Sequence, residues 1–317
     1  MRLCRFERNS EVAVGFYDEA RVIPLHAVAR AYETKTGEKI PLPDSDNLLD
    51  FLPPDGPAAP SAKRLAEWCI TAGDSLPPDS VLTTDGLKIL VPIPRPNKLL
   101  LLAGNYAAHI EEGNLTAVER AETYPWVFMK PPTTTLTHPG DPVRLPEVSP
   151  ASMDYELELA VVIGRRAKGV TESEALEYVA GYTITNDISD RRFRPNPERK
   201  AREHDAFFDW LHGKWHDSSC PCGPCVTSRD AIADPQTLAM QLRVNGDLRQ
   251  DASTAQQIFP VAAVIEFISS FVTLEPGDII STGTPGGVGE TKGVYLRKGD
   301  RIDATISSIG TLVTSVV

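Results

Sequence analysis

The chain has 317 residues, 41% hydrophobic and 24% charged, with a net charge of −11. That is enough chain for one large domain or two with packed cores, and the acidic balance argues against a nucleic-acid partner, whose phosphates need basic patches. No run approaches the ~18 apolar residues of a membrane-spanning helix, the opening segment MRLCRFERNS lacks the apolar stretch of a signal peptide, and five cysteines make an odd set, so a reducing cytoplasm with no membrane partner is expected.

In chain order, residues 1 to about 28 read as short strands, with Val12, Val14 and Phe16 alternating after an Asn9-Ser10 turn. Two short helices are predicted next, one near Asn47 to Phe51 and one from Ser61 to about Ala72 with Leu65, Trp68 and Cys69 at helical spacing. Val91-Pro92-Ile93-Pro94-Arg95-Pro96 reads as a stiff linker, because proline fixes φ and removes a donor. It divides a small domain, 1–95, from a larger one, 96–317. Leu99 to Ala103 predicts a buried strand, Tyr106 to about Thr123 a polar helical lid, and Val127 to Lys130 another strand. Met153 to Gly164 reads as a strand. Thr171-Glu172-Ser173-Glu174 reads as a capping box opening a helix that ends at Gly181, before a strand from Tyr182 to Ile188. Leu238, Met240, Leu242 and Val244 alternate into an Asn245-Gly246 hairpin turn. Pro260 suits the first turn of a helix with Val261, Val264, Ile265, Ile268 and Val272 on its apolar face. Pro276-Gly277-Asp278 turns into Ile279 to Thr282 and a Gly-rich loop, and short strands close the chain.

The chemistry concentrates in one predicted strand. Residues i and i+2 of a strand share a face, so Glu156 and Glu158 would point the same way from an otherwise apolar run. Two like charges together in a core are costly unless a positive charge sits between them. Asp187, on the next predicted strand, would add a third carboxylate. Carboxylate oxygens are what hard divalent cations prefer. From spacing alone, a solvated edge strand remains an equal alternative.

Four spaced segments resemble the fumarylacetoacetate hydrolase family: Asp154 to Ala160, Gly181 to Ser189, Val244-Asn245-Gly246, and Pro276 to Gly289. The resemblance runs from about Pro94 to Val317. It implies an α+β, mainly β architecture: a catalytic domain built as a mixed β-sheet roll with few helices, preceded by a small, variable α+β domain. It implies Glu156, Glu158 and Asp187 as ligands of Mg²⁺ or Mn²⁺, with Ca²⁺ an occasional alternative. His109 and Glu112, in Gly104 to Glu112, would form a water-activating dyad; three positions apart on a helix they would be neighbours. Lys130 would face the substrate and Lys214 would supply a second cation. Arg191, and Thr284 with Gly283 in the Gly-rich loop, would bind the substrate, and a homodimer through the catalytic domain is implied. The activity so implied is metal-dependent hydrolysis of a C–C bond in a small β-dicarbonyl 2-oxo acid, of acylpyruvate or fumarylpyruvate type, through an enolate. Isomerisation or decarboxylation of a related hydroxymuconate or oxaloacetate is the alternative, since one fold serves several chemistries.

Two segments depart from the family pattern. Where family hydrolases read Ser-Ala-Arg-Asp-x-Gln, this chain reads Ser189-Asp190-Arg191-Arg192-Phe193-Arg194, which puts Arg194 in the place of a substrate-binding glutamine and leaves the reaction type open. The charged stretch from Pro195 to Leu211 carries Phe207, Phe208 and Trp210; an active-site wall and a solvated helix are equal readings of it. Cys220, Cys222 and Cys225 invite a zinc-binding or redox non-enzyme reading. A zinc site needs four ligands and no second cysteine pair lies near, so core filling is the preferred reading.

Overall fold

The N-terminal alternation becomes three antiparallel strands, Arg2–Arg8, Glu11–Asp18 and Arg21–Pro24, in a computed structural model that describes residues 1–73, 76–113, 116–117 and 119–317. Asn9 and Ser10 take positive φ, 52° and 64°, as a tight hairpin turn that follows the strand twist requires. The helices Leu25–Thr36 and Ala59–Ala72 pack beside these strands. Asn47 caps a single 3₁₀ turn, Leu48–Phe51, through its side-chain oxygen.

The sheet does not stop at the Val91 to Pro96 linker. Arg2–Arg8 pairs with Cys220–Ser228, which continues through Val179–Asn186, Leu157–Ile163, Ile279–Ser281, Leu99–Ala103 and Trp126–Met129. Every residue of Leu157–Ile163, Val179–Asn186 and Cys220–Ser228 is buried, so both faces of the central sheet are covered. Leu3, Leu65, Leu99, Cys220 and Cys222 share one core. Tyr155, Leu159, Cys225 and Val264 belong to another. A four-stranded sheet, Asp247–Ser253, Ala239–Val244, Arg301–Ile306 and Gly310–Ser315, packs into the second core with the helix Val261–Phe271. Its Asn245-Gly246 turn has φ of 53° and 87°, matching the sequence expectation. No helix among the described residues is long and apolar enough to cross a membrane.

Three local expectations are corrected. The run from Met153 to Gly164 is two strands, Met153–Asp154 and Leu157–Ile163, with Tyr155 and Glu156 between them. Side chains replace the ladder there: Glu156 N–H donates to Asn186 Oδ1 at 2.9 Å and Leu157 N–H to Gln250 Oε1 at 2.9 Å. The capping-box turn forms, with Thr171 Oγ1 donating to the Glu174 carboxylate at 2.7 Å, but it leads only to a 3₁₀ turn, Ala175–Tyr178. Gly181 lies inside the strand Val179–Asn186, where a Cβ would sit 2.3 Å from Thr227 O. Close approach of the neighbouring strand, not helix termination, explains that glycine. The lid helix is Ala107–Glu112, followed by a 3₁₀ turn at Arg120–Glu122; part of the longer helix expected there lies outside the described residues.

Candidate metal and proton-transfer site

Glu156, Glu158 and Asp187 converge from different elements, each offering an oxygen within 4.8 Å of the others, and all three are buried. The strand Leu157–Ile163 carries Glu158. Glu156 sits in the break before that strand, held by Asn186, and Asp187 follows Val179–Asn186 with its N–H on Glu156 O at 2.8 Å. Glu158 Oε2 accepts from Ser281 Oγ at 2.5 Å and from Gly283 N–H at 2.9 Å, while Oε1 is buried with no partner. Burial, reinforced by the charges of Asp187 and Glu156, pushes the Glu158 carboxyl well above the ordinary carboxylate range. An all-oxygen cluster with one orphaned carboxylate oxygen fits a hard divalent cation.

The cations around this cluster divide into two kinds. Lys130 is fully enclosed and spends its three donors on Asp187 Oδ1 at 2.6 Å, Ile188 O at 2.9 Å and Ser219 O at 2.8 Å. It does not line the cavity; against expectation it faces Asp187, not a substrate. Lys214 does line the cavity, and its Nζ bridges Glu156 Oε2 at 2.8 Å and Asp187 Oδ2 at 2.6 Å. Arg191 Nε donates to Asp154 Oδ2 at 2.9 Å, and its Nη2 lies 2.5 Å from Glu156 Oε1 as an ion pair without a directed hydrogen bond. Burial opposes ionisation of Glu156, but Arg191, then Lys214 and His109, outweigh it and hold the carboxyl at about 2.

The cavity is small, about 50 Å³, and His109, Arg191, Lys214, Thr284 and Trp210 contribute to its lining. A larger groove of about 350 Å³ by Leu145 and Tyr295 contains none of the three carboxylates. His109 has a buried Nδ1 with no partner. Burial lowers the His109 pKa below its ordinary 6.5, with Arg191 and Lys214 working in the same direction against Glu156 and Glu112. Glu112 does not hydrogen-bond this imidazole; both its oxygens accept from Gly287 N–H, at 3.0 and 2.8 Å. The expected dyad is thus replaced by a contact from the lid helix to the Gly-rich loop. Gly283 likewise gives its N–H to Glu158 rather than to open space. Thr284 Oγ1 donates to Leu157 O at 3.0 Å and accepts from Gln250 at 2.8 Å. Arg194 is exposed and is not among the cavity-lining residues.

Two supporting residues escaped the sequence reading. Gln250, wholly buried, ties Leu157 N–H to Thr284 Oγ1 and Pro285 O; a lone glutamine in a hairpin strand gives no spacing signal. Asp154 accepts from Tyr155, Gly289 and Glu290 N–H groups as well as from Arg191, so it joins the carboxylate segment to the short helix Gly289–Lys292. Its place two residues before Glu156 was the available hint. The cysteines pack as expected of core residues. Cys222 lies in one core and Cys225 in the other, so the pair does not converge on a metal. Burial pushes the Cys220 and Cys225 thiols up to about 12, far from a reactive thiolate.

Residues 98–317 match the sequence model for the C-terminal domain of fumarylacetoacetate (FAA) hydrolase. The chain is 36% identical over 322 residues to oxaloacetate tautomerase YisK of Bacillus subtilis (strain 168), covering 100% of both proteins. It is 36% identical over 284 residues to the mitochondrial oxaloacetate tautomerase fahd2 of Xenopus laevis, covering 87% of this chain and 84% of that one. Among solved structures, maleylpyruvate hydrolase from Sphingobium sp. SYK-6, in complex with manganese(II) ion and pyruvate, superposes with a TM-score of 0.70 at 29% identity, covering 100% of this chain and 99% of that one. The broken carboxylate strand, the Gly-rich loop that holds its second glutamate and the full-length likeness lead to one assignment: this chain is an enzyme of the fumarylacetoacetate hydrolase family.

Proposed function

We propose that the enzyme is a divalent-metal-dependent tautomerase of a small 2-oxo acid, moving a proton between carbon and oxygen at a keto–enol centre. The observation that carries this reading is the state of His109. Its imidazole is buried, which holds its pKa below the ordinary 6.5 and favours the neutral ring, has an unpartnered ring nitrogen beside the carboxylate cluster, and lacks the glutamate contact that water activation would use. A neutral imidazole with a free nitrogen is suited to receive and return a proton. The tautomerase names of the two curated relatives support the same chemistry.

Glu156, Glu158 and Asp187 would hold Mg²⁺ or Mn²⁺. When bound, the ion would polarise the 2-oxo group and acidify the adjacent C–H. His109 would take that proton and deliver it to the other site of the keto–enol pair. Lys214 and Arg191 would orient the substrate carboxylate and compensate charge developing on oxygen. The lid helix, latched by Glu112 to Gly287, would keep bulk water from the exchange.

The hydrolase reading is retained because solved relatives are named maleylpyruvate hydrolase and fumarylacetoacetate hydrolase. The two separate in one experiment. Mg²⁺-loaded enzyme is given oxaloacetate enriched in one tautomer, then an acylpyruvate, with the enol absorbance and all products followed. Accelerated approach to tautomeric equilibrium, no cleavage, and a loss of ~10²–10⁴ in kcat for His109→Ala are expected. Acid products from the acylpyruvate would replace the reading with hydrolysis, and CO₂ from oxaloacetate with decarboxylation.

A further inference from the structure

Arg191 and Lys214, the two cations that line the cavity, belong to different segments of the chain. Asp190 grips both segments. Its N–H donates to Gly213 O at 2.9 Å and its Oδ2 lies 3.3 Å from His216 Nε2, so these two contacts bracket Lys214. Its Oδ1 accepts from Ser152 Oγ at 2.6 Å and from Arg192 N–H at 3.2 Å. Arg191 N–H donates in turn to Ser152 O at 3.0 Å, so Arg191 is bracketed as well. There is no slack where the segments meet: a Cβ on Gly213 would sit 2.4 Å from Asp190 O.

The carboxyl of Asp190 is wholly buried. Burial opposes its ionisation, but hydrogen bonds from His216 and then Ser152 outweigh it and hold the carboxyl below the ordinary carboxylate range. An ionised carboxylate only accepts, so His216 Nε2 carries the hydrogen between them. Phe193 steadies the imidazole edge-on, at 5.4 Å between centroids. An alanine, which family hydrolases carry at position 190, would keep the contact to Gly213 and lose all three made by the carboxylate. Asp190 bonds to none of the three candidate metal ligands and does not line the cavity. Its burial costs desolvation free energy, and what it returns is fixed geometry. That geometry matters at the far ends of the two cations, which meet one carboxylate: Arg191 Nη2 lies 2.5 Å from Glu156 Oε1, and Lys214 Nζ 2.8 Å from Oε2.

We infer that Asp190 and His216 form a positioning pair for the reaction. They fix the Arg191 and Lys214 segments against each other, and with them the spacing of the two cations that orient the substrate carboxylate. The inference rests on the reading that Arg191 and Lys214 meet the substrate.

The test uses the full-length Mn²⁺-loaded enzyme. His216→Phe keeps a ring against Phe193 and removes the donor, whereas His216→Gln restores an N–H. In His216→Phe, pyruvate affinity by calorimetry and kcat/KM for oxaloacetate tautomerisation should each fall on the order of tenfold, and His216→Gln should recover most of both. A role in stability alone would lower the melting midpoint and leave the pyruvate Kd where it is. Hydrogen exchange at Arg191 Nε–H, followed by NMR, needs no substrate. It should quicken about tenfold in His216→Phe, while the amides of Ala239–Val244, in the second sheet, keep their rates. Asp190→Ala should show the same changes, and adding His216→Phe to it should cost nothing more; it decides the question if His216→Phe does not fold. Either readout unmoved in a folded variant overturns the inference, as does a loss that His216→Gln leaves in place. If the wild-type enzyme neither binds pyruvate nor turns over oxaloacetate, the reading that these cations meet the substrate fails, and exchange at Arg191 still decides whether the pair positions it.

Discussion

Lys130 and Lys214 both touch Asp187, yet they are separated by what else they can reach. Lys130 has no donor left for a ligand, and its removal takes the buried donor from Asp187 Oδ1, Ile188 O and Ser219 O together, with Lys214 left as the cation on Asp187. Lys130→Met is therefore expected to cost about 3–5 kcal/mol of stability, read from urea denaturation; a stable variant defective only in turnover would mean that the lysine meets substrate. His109 sets a pH dependence. Its folded pKa lies below 6.5, so as pH falls the unfolded chain takes the proton first. The stability contributed by this group is present above pH 6.5 and is lost as pH falls from there toward the folded pKa. Wild-type denaturation midpoints should therefore drop more steeply below pH 6.5 than those of His109→Asn. The acid limb of the pH–rate profile should also lie below that value.

At the scale of elements, the Gly-rich loop is fixed from three directions. Gly283 holds Glu158, Gly287 receives Glu112 from the lid, and Gln250 pins Thr284 and Pro285 to the start of the Leu157 strand. Gln250→Ala removes partners from three buried polar groups, each costing ~1–3 kcal/mol when left unsatisfied. It should weaken Mn²⁺ binding, measured by calorimetry, although Gln250 is not one of the proposed ligands; unchanged affinity would show that the loop holds its shape without it. These tethers also explain what could be read in advance. The three carboxylates were legible because charge in an apolar strand is anomalous. The Asn245-Gly246 hairpin was legible because its turn chemistry is local. Gln250, the break at Tyr155–Glu156 and the Glu112 contact were not, because each depends on a partner 30 to 175 positions away. Gly181 was misread for the same reason: the neighbour that excludes its Cβ is Thr227, on another strand.

For the molecule as a whole, the strand Arg2–Arg8 matters most. It borders Cys220–Ser228, and the first core mixes residues from both sides of the Val91 to Pro96 linker. A fragment beginning at residue 96 would expose that sheet edge together with the apolar face beneath the two N-terminal helices. We expect the full chain to melt in one transition and the fragment to lack a cooperative melt by circular dichroism; an independently melting fragment would establish separable domains. The linker was easy to see because proline marks it, whereas the strand pairing that spans it has no sequence mark.

The placement of the cysteines has a practical consequence. Cys220 and Cys222 lie within one core, Cys4 and Cys225 within the other, and no disulfide ties any of them. Single-cysteine versions of the enzyme would therefore carry a concealed chemical timer on either side of the central sheet. The rate at which an alkylating reagent consumes each thiol reports how often that side opens. A spacing that suggests a metal clip instead offers a way to time the two halves of the interior separately.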